Sequence, residues 1–341
     1  KNISDQFNKK YGLLDVSFDE ILQNKEIDGV VIASSAITHK ELAEKSLLHD
    51  KDVLIEKPFC LSLSDAKYLS RLAIERKKVL MVGHLLNYHN AFIEMKKLIK
   101  QTIIGDVINI RAHRLALGSI RSSESVTYDL AAHDISMVLS ITKSMPNEIQ
   151  VQSIHHNNNE GPDAISVKLS FANKVTALIN CDWMCPYKEH RLTVTGTTGS
   201  IVFDDTRPWD ETLTLYRDSI EGDADIFTIN RSRPLYLPVA EAEPLKQEMQ
   251  AFITSCETGK AALTGIEDAL AVRREADDLR RQARGRVVRV QRVAPRQQAA
   301  RELDVGRGPR GGIAEHAERQ RAGKGARGLR HRRPRVDQEV E

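Results

Sequence analysis

Two groups of residues in this 341-residue chain could do chemistry. The first is Asp52-Val-Leu-Ile-Glu56-Lys57-Pro58, where a short apolar run stops at an acid, a lysine and a proline. A lysine set at the dry end of a buried strand can act as a general acid or donate to a reacting oxygen. Pro58 fixes its own φ and keeps Lys57 extended, which aims the ammonium. The second group is Asp129-Leu-Ala-Ala-His133-Asp134. Asp129 and His133 stand four apart, so on a helix they share a face and can touch. A carboxylate beside an imidazole fixes its tautomer and raises its basicity, as a proton-abstracting pair requires. Each group also has an ordinary reading: a solvated strand-end lysine, and a helix-surface Asp–His pair. A zinc site from His113, His133 and Asp134 is a weaker rival, because no HExxH-like spacing supports it. No metal is expected.

The elements around Lys57 make the first group more than a tripeptide. Asp28–Ala33, residues 52–56 and Val79–Gly83 read as short buried strands, each followed by a helical pattern. The first of these helices should be capped by Thr38, with Glu41 completing a capping box, and run to about His49. Ser62 or Ser64 caps the second, and Asn90–Lys100 forms the third. Regular strand–helix alternation predicts a parallel sheet with right-handed crossovers. Ligands of such sheets sit beyond the carboxyl ends of the strands. Ser34-Ser35, Glu56-Lys57 and Gly83-His84 therefore share one edge.

From Gly105 the pattern changes. A strand begins at Val107 and a helix is expected from Val126 to Ile141. Strands then follow at Ile149–Ile154, Ala164–Phe171, Val175–Trp183, His190–Thr195 and Ser200–Phe203, with turn signals between them. A helix over Glu243–Glu257 ends at Gly259, and another starts near Gly265. The fold class is α/β. A partial Rossmann-type parallel sheet (1–104) is followed by an α+β domain with a largely antiparallel sheet (105–270).

Charge marks a third segment. The net charge of +3 combines −7 over residues 1–270 with +10 over 271–341, where nineteen arginines and one lysine face ten acids. Beyond Leu270 there is no Phe, Tyr, Trp or Met. Residues 271–341 are expected to be a basic, arginine-rich tail that is out of frame or disordered and unable to pack a core. A nucleic-acid-binding arm is the alternative, although no nucleic-acid partner is expected. Cys60, Cys181, Cys185 and Cys256 show neither metal nor disulfide spacing, which suits a reducing cytoplasmic setting. No apolar run is long enough to span a membrane, so no membrane partner is expected.

Val30-Val-Ile-Ala33 through His39, Asp52 through Pro58, Val82-Gly-His84, Gly105-Asp-Val and Asp129 through His133 occur in a familiar order and spacing. Over about residues 1–270 the chain resembles the glucose–fructose oxidoreductase/inositol dehydrogenase (Gfo/Idh/MocA) family. The resemblance implies an NAD(P)-dependent oxidoreductase that moves hydride from a secondary hydroxyl of a sugar to NAD or NADP. It implies that Lys57 binds the substrate hydroxyl and nicotinamide region, that His133 is the acid/base and that Asp129 supports it. Ala33, Ser34, Ser35, His39, Glu56, Lys57, Pro58 and His84 would line the dinucleotide. A homodimer or homotetramer is also implied.

Two departures qualify the resemblance. The common Gly-rich lead-in before the aspartate is replaced by Arg121-Ser-Ser-Glu-Ser-Val-Thr-Tyr-Asp129. The family's first βαβ unit is missing, and no GxGxxG phosphate loop is present. The chain therefore reads as an amino-terminally shortened fragment, expected to be inactive by itself. Arg114-Leu-Ala-Leu-Gly-Ser-Ile-Arg121 and the run on to Asp129 resemble the branch acting on nucleotide-activated amino sugars. UDP-N-acetylglucosamine 3-dehydrogenases of surface polysaccharide biosynthesis are examples. Arg114 and Arg121 are then candidates for the diphosphate, since guanidinium forks match phosphate oxygens. Two ordinary surface arginines remain the other reading. An inositol or other polyol dehydrogenase, or a non-catalytic sugar-binding relative, is the alternative function.

Overall fold

The computed structural model describes residues 8, 10–12, 15–118, 125–156, 161–223 and 226–285. A short helix α1 (Phe18–Gln23), held by a Ser17–Glu20 capping box, leads into the first sheet. That sheet consists of β1 (Gly29–Ile32), β2 (Asp52–Ile55) and β3 (Leu80–Val82), all parallel. Val53, Leu54 and Ile55 are buried together with Leu80, Met81 and Val82. Burying each such side chain is worth about 1.5–3 kcal/mol, so this unbroken apolar run could only be an inner strand.

Helices α2 (Ala36–Leu48) and α3 (Leu63–Arg76) link the strands. Ser62 caps α3 by accepting from the Asp65 amide at 3.0 Å, as expected. The start of α2 differs. Its cap residue is Ser35, and Thr38 already lies in the first turn, where its hydroxyl donates to the Ser35 carbonyl at 2.8 Å. Glu41 pairs with Lys45 one turn on and completes no capping box. Sequence spacing favoured Thr38 because Ser35 caps with its backbone position alone.

Helix α4 (Asn90–Lys100) runs over the predicted residues and seats Phe92 and Met95 in the main core. The second sheet has eight strands, ordered β13-β10-β9-β8-β4-β7-β6-β5. They are β4 (Val107–Leu115), β5 (Glu148–Ile154), β6 (Ala164–Ser170), β7 (Thr176–Asp182), β8 (Glu189–Gly196), β9 (Ser200–Asp204), β10 (Leu213–Tyr216) and β13 (Leu235–Tyr236). Every pairing is antiparallel except β4 with β7. Strands β10 and β13, and a separate hairpin of β11 (Ser219–Asp223) and β12 (Ile226–Asn230), were not expected. Most of them are too short for alternation to register. The helix expected from Val126 opens instead as a π turn, Thr127–Ala131, and continues as α5 (Ala132–Thr142). Ile135, Met137 and Val138 of α5 join the core against β4 and β7.

The boundary at residue 270 is corrected. Helix α6 (Pro244–Thr258) ends at Gly259 (φ 67), and α7 then runs unbroken over Ile266–Gly285. Ala269, Val272, Ala276, Leu279 and Ala283 are all buried. Their alternating spacing of three and four makes one apolar stripe. Composition hid that stripe behind the arginines. Through α7 the two sheets share a scaffold: it packs on α3 and β3 and also on α5 and β5. Among the described residues no helix is long and apolar enough to cross a membrane.

Candidate functional site

The strand ends of the first sheet meet the helix of the second. Lys57 follows β2, and its Nζ lies 2.6 Å from Asp129 Oδ1 and 3.0 Å from the Asp129 carbonyl oxygen. Asp129 Oδ2 also accepts from the Trp183 indole at 3.3 Å. Both members of the ion pair are largely buried, so the ammonium is fixed in direction and incompletely hydrated. Sequence spacing paired Asp129 with His133. The contact observed is with Lys57, because an ammonium offers the carboxylate a stronger partner than a neutral ring. The Lys57–Pro58 peptide is cis.

His133 sits half-buried on the first turn of α5. Burial, and then the charges of Arg114, Lys57, His84 and His190 around it, hold its pKa well below the ordinary value of 6.5. The imidazole is therefore neutral at neutral pH and able to accept a proton. That arrangement places a fixed acid, Lys57, and a free base, His133, in one electrostatic neighbourhood.

The remaining strand-end residues divide into those that face outwards and those that hold the edge together. Ala33, Ser34 and Ser35 are exposed after β1. His39 is only 1% exposed; its Nδ1 lies 2.9 Å from the Pro58 carbonyl and its Nε2 3.2 Å from the Ser34 carbonyl. It ties the ends of β1 and β2 to each other. Glu56 lies against Gly83, where an added Cβ would come within 3.0 Å of Glu56 Oε2 and crowd that carboxylate. His84 is buried, with Nδ1 2.5 Å from Asp268 Oδ2 on α7.

These positions fit the nicotinamide end of a dinucleotide. Ser34 and Ser35 are open, the Ser35 hydroxyl caps nothing, and α2 directs its amino end to the same edge. The glycine-rich turn that would hold the pyrophosphate is absent from residues 1–341. A cavity of about 830 Å³ lies elsewhere, at the amino ends of β2 and β3 between Lys77, Lys143 and Lys260. Lys57, Asp129 and His133 do not line it.

One expected ligand role changes. Arg114 is 5% exposed, and its Nε and Nη2 each lie 3.1 Å from the Asp134 carboxylate. Its fork is filled by a protein acid, so it offers no open diphosphate clamp. Burial opposes the Arg114 charge, but Asp134 outweighs it and raises the pKa. Arg121 lies outside the described residues. The zinc grouping also dissolves: Asp134 serves Arg114, and His113 lies 3.2 Å from Glu189. Among the described residues no three metal-ligating side chains gather.

Several residues at the site carried no sequence signal. Trp183 and Asp268 reach it from 54 and 184 positions away from their partners. Arg273 of α7 donates to the Leu61 carbonyl at 2.6 Å, to Asp277 at 2.6 Å and to the Tyr128 hydroxyl at 3.3 Å. It thereby joins the loop after Pro58 to the residue before Asp129. His190 and Asp205 form a further pair, with Nδ1 and Oδ1 2.9 Å apart. Only the three-four stripe of α7 could have pointed to any of them.

Comparison with known proteins agrees with this geometry. Residues 2–84 match the oxidoreductase family with an NAD-binding Rossmann fold, and residues 92–202 match the GFO/IDH/MocA C-terminal domain. An uncharacterized oxidoreductase of Streptococcus pneumoniae is 28% identical over 254 residues, 68% of this chain and 69% of that one. A 2,7-anhydro-N-acetylneuraminate hydratase of Mediterraneibacter gnavus is 23% identical over 205 residues, 56% of this chain and 55% of its own length. The chain thus spans about half of that relative. The UDP-N-acetylglucosamine 3-dehydrogenase of Acidithiobacillus ferrooxidans is 32% identical over 130 residues, 38% of this chain and 40% of that one. Its solved structure superposes with a TM-score of 0.71 at 22% identity, over 84% of this chain and 88% of that one, which shows the shared fold. The chain belongs to the Gfo/Idh/MocA oxidoreductase family, and its first sheet is the NAD-binding Rossmann domain of that family.

Proposed function

We propose that this chain is an NAD(P)-dependent dehydrogenase oxidising a secondary hydroxyl of a sugar. A nucleotide-activated amino sugar is the leading substrate, in surface polysaccharide biosynthesis. The observation that carries the reading is the ammonium of Lys57, fixed by Asp129 at 2.6 Å, beside an imidazole kept neutral by burial.

The residues divide the work as follows. Lys57 donates a hydrogen bond to the reacting oxygen and orients it, and it favours the negative charge that develops as the proton leaves. His133 accepts that proton at a ring nitrogen. Asp129, itself held by the Trp183 indole, keeps the ammonium in place. Ser34, Ser35, Glu56, Pro58 and His84 line the edge where a nicotinamide would bind, with His39 bracing the loops. The nicotinamide, when bound, supplies the hydride acceptor.

One observation favours a second substrate class. Because Asp134 fills the fork of Arg114, one of the two candidate diphosphate contacts is gone. A free polyol such as an inositol is the second reading. A panel of UDP-sugars, free sugars and inositols, assayed with NAD and NADP by nicotinamide absorbance on the chain as it stands and on the chain extended at its amino end with a glycine-rich strand–turn–helix, tests both. Reduction by a UDP-amino sugar supports the first reading and reduction by inositol alone the second. Saturable sugar binding without any absorbance change would replace both with a non-catalytic binding protein.

A further inference from the structure

Across the second sheet, Cys181 on β7, Arg114 on β4 and His190 on β8 are direct cross-strand neighbours. Side chains in such a row point to the same face of a sheet. Arg114 reaches Asp134 of α5 from this row, so His190 stands on the face that α5 covers, next along from Arg114. His190 is also close enough to bear on the His133 imidazole, as Arg114, Lys57 and His84 are. His190 therefore stands on the sheet face beside the reaction site.

Asp205, the first residue after β9, holds this imidazole at 2.9 Å. Burial works against its charge, but the His190 hydrogen bond and the charge of Arg114 keep its pKa below the ordinary value. An ionised carboxylate can only accept, so Nδ1 carries the proton and Nε2 is the atom left for a ligand. The pair is partly open, with side-chain exposures of 21% and 18%. The turn carrying Asp205 is anchored twice. Asp204 Oδ1 accepts from the Thr206 amide at 3.0 Å, and Trp209 stacks on His89 with centroids 4.8 Å apart. A fixed carboxylate behind an imidazole at a partly open position is an arrangement for reading a neutral hydroxyl, and the charge of Asp205 disfavours a phosphate there.

We infer that His190, oriented by Asp205, is a substrate-binding residue that accepts a hydrogen bond at Nε2 from a sugar hydroxyl other than the one oxidised. The inference rests on the proposed dehydrogenase reading and deepens it. The experiment compares the full chain with His190→Ala, His190→Gln and Asp205→Asn, each with the active sugar from the panel. Loss of a site-built hydrogen bond should raise KM for the sugar by roughly ten- to a hundredfold in His190→Ala while KM for the nicotinamide stays unchanged. His190→Gln, which keeps an acceptor, should recover part of the loss, and Asp205→Asn should fall between.

Sugar KM within about twofold of wild type in His190→Ala would overturn the inference and leave the dehydrogenase reading standing. If His190→Ala does not fold, the other two variants decide, and unchanged sugar KM in both overturns it. Failure to turn over any sugar, by the chain as it stands and by the chain extended at its amino end with a glycine-rich strand–turn–helix, refutes the dehydrogenase reading and the inference with it.

Discussion

Leu279 is the sharpest probe of the scaffold that joins the two sheets. It is 0% exposed on α7 and belongs to the same core cluster as Ile135, Trp183 and Phe203. Replacing it with alanine removes three carbon-sized groups from water exclusion, worth about 2.4 kcal/mol at roughly 0.8 kcal/mol each. The cavity left behind adds to that, and the total expected loss is about 3–4 kcal/mol. Arg281, two residues on, is the control. Its side chain is 71% exposed in a surface pair with Asp278, so Arg281→Ala should shift stability by no more than about 0.5 kcal/mol. Urea unfolding followed by tryptophan fluorescence, to which Trp183 in that core and Trp209 both contribute, reads both variants. The midpoint should fall in Leu279→Ala with little change in slope. Equal midpoints for the two variants would refute the packing of α7 and restore the reading of residues beyond 270 as an unpacked tail.

Three further outcomes follow from the same geometry. Glu248 is 1% exposed, its Oε1 finds no hydrogen-bond partner among the described residues, and burial followed by the charge of Glu56 pushes its pKa up to about 8. The folded form thus keeps a proton that the unfolded form releases above 4.5, so stability falls between about pH 4.5 and 8. Glu248→Gln should remove a slope of up to about 1.4 kcal/mol per pH unit from urea midpoints measured across that range, and an unaltered slope would contradict the burial. Glu275, pushed up to about 7, adds a slope of the same sign that this variant leaves in place. Asp268→Ala breaks the bond to His84 and should cost about 1.5–3 kcal/mol in the same unfolding assay; no measurable loss would show the pair to be idle. His133 stays neutral below its ordinary value, so the acid limb of the kcat/KM profile should lie below pH 6.5. A limb at or above 6.5 would exclude His133 as the base in this environment.

The sequence made the first sheet legible because β2 and β3 are buried on both faces. Val53–Ile55 and Leu80–Val82 have no polar residue to confuse the pattern, and strand ends in a parallel sheet fall on one edge by topology. Lys57, Glu56 and His84 were placed by that rule alone. The antiparallel strands of the second sheet announced themselves by alternation, except for the short β10 and β13. What stayed hidden was long-range pairing. Asp268 meets His84, Arg273 meets Leu61 and Tyr128, and Asp134 meets Arg114, and no local spacing encodes such contacts. Arg114 is the instructive failure. A guanidinium is equally suited to a phosphate and to a buried carboxylate, and only the fold decides which it finds. Residues 271–285 differ for another reason: charge density describes the whole segment, while burial depends on four small or apolar residues, Val272, Ala276, Leu279 and Ala283, along one helical stripe.

The central claim is that Lys57 and His133 act together on a substrate hydroxyl beside a nicotinamide. The most direct measurement is sugar-dependent nicotinamide reduction by Lys57→Ala and His133→Ala, with nicotinamide affinity measured alongside. Each variant should lose on the order of a hundredfold or more in kcat with nicotinamide affinity nearly unchanged. Wild-type kcat in both would contradict the claim.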